Sequence, residues 1–259
     1  MFEKRFQIVI KKNNSNTFFA RLMNSINSLR TKRVLYMAAI KRSVRLYNDK
    51  FNHIIIKGNI KLPDDFLYEH DIALPRGKSV EDKYFSSGYE KEFNQLPKEI
   101  LDLIKSFRST IEIFFADDIN VRKPFFWKNW HIPQDIYGGS NEIFSDAFHQ
   151  DIVFDQYNMQ LFILLHDVTE DHGPFEYLDK NEQIKEFEYY RNRDKRIPKT
   201  FSNKLVGKRG DFLLFSTGTT LHRASNPSFG YERDIMSIAF FPKYTGSGTP
   251  IDQIQTSTK

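Results

Sequence analysis

Between residues 17 and 47 the apolar positions Phe18, Leu22, Ile26 and Leu29, then Met37, Ile40 and Val44, recur every three or four residues, with a break near Thr31. That spacing predicts a helix with one apolar face. A strand-like run follows from His53 to Ile60, and then residues 62–89 (LPDDFLYEHDIALPRGKSVEDKYFSSGY) carry the Pro, Gly, Asp and Ser content of a surface loop, a candidate lid. Helical spacing returns at Leu96, Ile100, Leu103, Phe107, Ile111 and Phe114, with Pro97 placed where a first helical turn tolerates it. This stripe predicts a helix laid on one face of a sheet. From about Pro124 the period shortens. The runs FFWKNWHI, AFHQDIVF, MQLFILLHDV, KLVG, DFLLFST, TTLHRAS and DIMSIAFFPK are separated by turn clusters, the signature of an antiparallel sandwich or barrel. The pattern as a whole predicts an α+β fold, a jelly roll core flanked by N-terminal helices. It divides the chain into a basic helical extension over residues 1–50 and a single domain over 51–259.

Composition narrows the chemistry. The 259 residues suffice for a sizeable core, and no run approaches the roughly 18 apolar residues of a membrane span. The apolar run Phe6 to Ile10 is too brief for a secretory signal, so a cytoplasmic location is expected. With no cysteine, disulfides, thiolate catalysis and Cys-ligated metals are excluded, and any metal must be held by His, Asp or Glu. The net charge of +5 is uneven: residues 1–50 carry 12 Lys or Arg against Glu3 and Asp49, and the remainder is mildly acidic. A basic extension before an acidic body is not the spread of charge a nucleic-acid-binding domain shows, and no nucleic-acid partner is expected. The basic face of the first helix is either solvated or in peripheral contact with an anionic surface.

The stretch FHQDIVFDQ, residues 148–156, sets His149 and Asp151 two apart in an apolar run. Side chains at i and i+2 of a strand share a face, so both can reach one ion. One H-x-D pair arises easily by chance. Its weight comes from GKRGDFLLFSTGTTLHRASNPSFGYERDIMSIAFFP, where one strand carries His222 and the turn NPSFGYE leads into another opening with Arg233. An antiparallel pairing of those two strands is expected to bring Arg233 near His222. Two imidazoles and a carboxylate make the facial set of non-haem Fe(II), which leaves positions for a bidentate 2-oxo acid and O2. The planar, permanently charged guanidinium of Arg233 suits the far carboxylate of such a cosubstrate.

These segments resemble the Fe(II)/2-oxoglutarate-dependent dioxygenases, in particular the phytanoyl-CoA dioxygenase-like branch. The resemblance covers roughly residues 124–242 and rests on FHQD, on LLHDVTEDHGPFEYL, on RGDFLLF, and on the eleven positions from His222 to Arg233. It implies a double-stranded β-helix, Fe(II) held by His149, Asp151 and His222, 2-oxoglutarate anchored by Arg233, and O2 as co-reactant. The expected reaction is hydroxylation of a small organic or carrier-linked substrate. Related halogenases replace the aspartate by Gly or Ala; Asp151 therefore favours hydroxylation. The chain departs from the branch after Leu178, where DKNEQIKEFEYYRNRDKR stands in place of a Pro-Gly-Ser-His stretch. It departs again after His222, where Arg223-Ala224-Ser225 replaces Gly-Ser-Gly.

Gln160 and Phe162 alternate along MQLFILLHDV and face the cosubstrate if that strand lines the barrel, with core packing the competing role for Phe162. Trp130 and His131 are candidate pocket residues or structural ones. His166 and His172 read as turn histidines, and Asp211 as a turn residue. Two rival readings remain: a cupin-like metal protein of another class, such as an isomerase or a cosubstrate-independent dioxygenase, and a binding protein acting through its basic N-terminus. Specificity is expected in the loops 62–90 and 179–204.

Overall fold

The computed structural model describes residues 54–66, 86–133, 148–149, 151, 158–179 and 202–254. The helix expected over 17–47, the domain division at residue 50, and most of both specificity loops lie outside the described residues. In chain order the described strands are β1 (Ile55–Asn59), β2 (Ser86–Glu90), β3 (Ile119–Val121), β4 (Phe125–Trp130), β5 (Met159–Leu164), β6 (Phe175–Tyr177), β7 (Asn203–Leu205), β8 (Asp211–Ser216), β9 (His222–Ala224), β10 (Glu232–Pro242) and β11 (Thr249–Pro250). Two helices, α1 (Lys98–Ser106) and α2 (Arg108–Phe115), lie between β2 and β3.

The long strand β10 organises the larger sheet. One edge pairs antiparallel with β5; the other is shared, β4 lying against its first half and β3 against its end. Beyond β5 come β8 and then β1, while β2 extends β4 and β11 extends β3. A second sheet has the order β7-β6-β9, also antiparallel. Strand alternation sorts the larger sheet into two buried faces. Leu164, Leu213, Phe215 and Ile235 turn toward Phe175, Tyr177 and Leu205 of the smaller sheet. Leu161, Ile163, Leu214, Met236, Ile238 and Phe240 turn the other way and pack with Ile100, Ile104, Ile111 and Phe114 of the helices. The result is helices on one face of an antiparallel β-sandwich of jelly-roll type. Burial of both faces is why β5, β8 and β10 read as near-continuous apolar runs. No described helix is long and apolar enough to cross a membrane.

Three sequence expectations change. The single helix over 97–114 is two helices meeting at Phe107, whose φ of −83° and ψ of −4° close the first and open the second. The apolar stripe runs straight through the junction, so periodicity cannot reveal the break. Residues 86–90, read as loop, form β2, with Gly88 so close to Phe125 that a Cβ there would stand 1.9 Å from the ring. Most consequential, β9 and β10 are not a hairpin: β9 pairs with β6, β10 with β4 and β5, and residues 225–231 carry the chain from one sheet to the other. That crossover packs on the turn at 170–173, with the Ser225 N–H donating to the Pro174 carbonyl at 3.1 Å and the Ser228 N–H to Asp171 at 2.8 Å. Gly173 makes this approach possible: its φ is +62°, and a Cβ there would stand 2.4 Å from the backbone nitrogen of Pro227.

Candidate metal centre

The segment bearing His149 joins the free edge of β9 through one isolated bridge. The His149 N–H donates to the His222 carbonyl at 2.9 Å and the His222 N–H returns the bond at 3.0 Å. Asp151 is placed by its own N–H, which donates to the Thr217 carbonyl at 3.0 Å. Bridged residues point to the same side of a sheet, so the two imidazoles stand side by side with ring centroids 4.5 Å apart. Asp151 Oδ1 lies 3.6 Å from His149 Nε2, and its Oδ2 3.8 Å from His222 Nε2. One ligand atom from each residue lies within 4.8 Å of the others.

Those spacings fit an ion. Metal–ligand bonds of about 2.1 Å put two donors about 3 Å apart at right angles and about 4.2 Å apart when opposed, a range that includes both measured pairs. The tautomer of His222 fits as well. His222 Nδ1 donates to the Thr220 carbonyl at 2.8 Å, which leaves the lone pair on Nε2, the nitrogen facing Asp151. Burial, and then the neighbouring His149, push the His222 imidazole well below the ordinary histidine value, against the opposing pull of Asp151 and the Thr220 carbonyl. At neutral pH it is an uncharged donor.

The wall behind His222 is aromatic. Its ring meets Phe175 and Phe215 at 5.5 and 5.3 Å, and Phe162 of β5 packs on both at 4.8 and 5.2 Å. Phe162 and Gln160 therefore stand on the inner face of the larger sheet, Phe162 within this cluster. Arg233 leaves β10 on the same face as Ile235, toward the smaller sheet, and is 3% exposed. Its Nη2 donates to Asn129 Oδ1 at 3.2 Å, while Nε and Nη1 are buried without a hydrogen-bond partner among the described residues. Burial pushes this guanidinium down to about 10, with Asp234 pulling the other way, so it keeps its charge at neutral pH. A buried cation with two orphaned donors is the feature an anionic ligand satisfies. Arg233 and His222 thus belong to facing sheets, not to the neighbouring strands that were expected.

The remaining candidates are structural. His131 Nδ1 meets the Pro227 carbonyl at 2.7 Å, His166 Nε2 accepts the Asp234 N–H at 3.0 Å, and His172 Nδ1 accepts the Thr169 N–H at 3.1 Å. Trp130 ends β4 with its indole nitrogen buried. Asp211 closes its turn, accepting the Lys208 N–H at 2.6 Å. Sequence reasoning overlooked Glu176 and Arg223, which face each other across β6 and β9 on the side away from the imidazoles. The Arg223 Nε and Nη2 both donate to Glu176 Oε2, at 3.0 and 2.7 Å; Ser202 donates to the same oxygen at 2.7 Å, and Ser225 to Oε1. Burial alone would raise the Glu176 carboxyl, but the bonds from Ser225, Ser202 and Arg223 outweigh it and hold the group below its ordinary value. Opposite charges flanking strand-like residues in GPFEY and LHRAS were the available signal. The hydroxyl of Ser225 is thereby committed to Glu176.

No family model matches the chain, and comparison with curated proteins finds no match. Among solved structures, the chain is similar to HygX from Streptomyces hygroscopicus with nickel and 2-oxoglutarate bound, at 12% identity and a TM-score of 0.44, over 76% of this chain and 85% of that one. It is similar to the non-heme monooxygenase ThoJ in its nickel complex (16% identity, TM-score 0.35, 56% of this chain and 50% of that one). The same holds for SnoN, a non-heme alpha ketoglutarate dependent epimerase from nogalamycin biosynthesis (14%, 0.36, 57% and 56%). The match spans about half the length of ThoJ and of SnoN. At such identities and TM-scores the likeness assigns no activity to this chain.

Proposed function

We propose that this protein is a non-haem Fe(II)/2-oxoglutarate-dependent oxygenase of the double-stranded β-helix type, hydroxylating a C–H bond of a small organic or carrier-linked substrate. One juxtaposition carries the reading. His149, Asp151 and His222 converge on the smaller sheet, and a buried, charged Arg233, two of whose nitrogens find no partner among the described residues, stands on the inner face of the larger one. Within this reading His149, Asp151 and His222 hold Fe(II), Arg233 anchors the distal carboxylate of 2-oxoglutarate, and Gln160 and Phe162 line its path. Residues 51–259 form the catalytic domain, with 1–50 as a basic extension.

Bound Fe(II) and 2-oxoglutarate would together supply the oxidising chemistry, consuming O2, releasing succinate and CO2, and inserting one oxygen atom into the C–H bond. This chain's own contribution is placement. The Thr220 carbonyl keeps the proton of His222 on Nδ1, Asp151 balances part of the metal charge, and Asn129 fixes the plane of the guanidinium. The Phe162, Phe175 and Phe215 rings exclude water behind the ligands. Asp151 favours hydroxylation over halide transfer, because its carboxylate fills the position a halide would need. No side chain is required as a general base.

The test is anaerobic addition of Fe(II) and 2-oxoglutarate to the full chain. The metal-to-ligand charge-transfer absorption of a chelated 2-oxo acid is expected in the wild type and absent in His222→Ala. In Arg233→Met it should require at least about tenfold more 2-oxoglutarate, the cost of losing a charge-assisted pair. A wild type that binds the metal yet shows no such band favours a cupin-like protein of another class. Succinate release across a substrate panel then identifies what is oxidised.

A further inference from the structure

The outer side of the smaller sheet holds a feature the proposed chemistry does not use. Because residues alternate across a strand, the neighbours of the inward groups His149, Tyr177 and His222 all point outward: Phe148, Glu176, Leu178, Leu221 and Arg223. All five are buried, the charged pair included, at 3% exposure for Glu176 and 7% for Arg223. Phe148, Leu178 and Leu221 form their own apolar cluster, and the Arg223 guanidinium lies 4.7 Å over the Phe148 ring. Ser202, Glu176, Arg223 and Phe148 therefore make one continuous line of contacts across the sheet, from the start of β7, through β6 and β9, to the segment that carries His149. The backbone connection at the end of that line is a two-bond bridge with the Asp151 bond beyond it. A short bridge of this kind opens easily, whereas a planar cation stacked on an aromatic ring and forked onto a carboxylate resists displacement.

We propose that Arg223, held by Glu176 and stacked on Phe148, is a positioning residue that fixes the separation of His149 and His222 and thereby sets the affinity of the centre for its metal. It touches neither ion nor substrate, and acts through the β9 backbone and the Phe148 ring. This rests on the metal reading above. Replacing both charges together, Glu176→Gln with Arg223→Met, avoids leaving one buried charge unpaired; Phe148→Leu is the milder variant, which keeps the ion pair and removes the stacked ring. Two measurements on the full-length protein separate the outcomes. In metal-free protein, amide hydrogen exchange at His149 and His222 is expected to rise in both variants, with the β5 and β10 amides still protected. In Co(II) titrations followed by visible absorption, the dissociation constant is expected to rise about tenfold or more in the double variant and less in Phe148→Leu, the usual scale for groups that orient metal ligands. Unchanged exchange at the two bridge amides, or unchanged Co(II) affinity alongside a wild type that binds it, overturns the proposal. A wild type that fails to bind Co(II) sinks the metal centre itself, while the exchange arm still reports on the tie.

Discussion

At the scale of single residues, much of the candidate site is a matter of which face a side chain takes. His222 and Arg223 are adjacent in sequence, yet one looks into the sandwich and the other out of it. Glu176 illustrates what the outward set contributes to stability. Its carboxyl is held below the ordinary glutamate value of about 4.3, so the charged form is favoured by folding. That contribution is complete above the unfolded-state value and is lost as pH falls through the lower folded-state value. Chemical denaturation from pH 6 down to pH 3 should therefore show falling stability in the wild type, and a flatter profile for Glu176→Gln with its Arg223 partner neutralised. An equally steep profile in that variant would place the acid sensitivity elsewhere. The His149 and Asp151 pairing was legible because two-residue spacing survives whether the segment is a full strand or a single bridge. The partner of Arg223 was not legible, since an ion pair across two three-residue strands leaves no local pattern.

At the scale of elements, strand periodicity located β1, β4, β5, β7, β8, β9 and β10, whose apolar runs are set by burial on one or both faces. It did not find β2, β3, β6 or β11: SSGYE and INV lack a readable alternation, and FEY and TP are too short to show one. Nor does a one-dimensional pattern say which sheet a strand joins, and for that reason β9 and β10 were expected as neighbours. The crossover at 225–231 decides the matter, and Gly173 is where it is secured. Gly173→Ala meets both a left-handed φ and the backbone of Pro227, and should cost about 1–3 kcal/mol in urea or thermal unfolding. Because the crossover links the strands of His222 and Arg233, the same variant should weaken 2-oxoglutarate binding more than Co(II) binding. Equal losses, or none, would count against that coupling.

At the scale of the whole molecule, the three proposed metal ligands come from two stretches far apart in the chain, and Arg233 stands on the inner face of the other sheet, so the proposed site is complete only once both sheets have closed. An ion that binds this assembly and not the unfolded chain stabilises it by mass action, about 2.7 kcal/mol at a hundredfold excess over the dissociation constant. Thermal melts in Fe(II) or Co(II) should rise with metal concentration, return to the apo value on chelation, and stay flat for Asp151→Ala. The three-residue strand β9 adds a constraint on length. With successive residues facing opposite ways, removing or adding one residue just before His222 would exchange its neighbours' sides, turning a guanidinium toward the carboxylate of Asp151 and an imidazole into the outer apolar cluster. A single-residue indel in the 217–221 connection is thus ruinous, and a two-residue change restores the facing only if it spares Thr217 and Thr220, whose carbonyls hold Asp151 and His222, a parity rule written into the spacing of the chain.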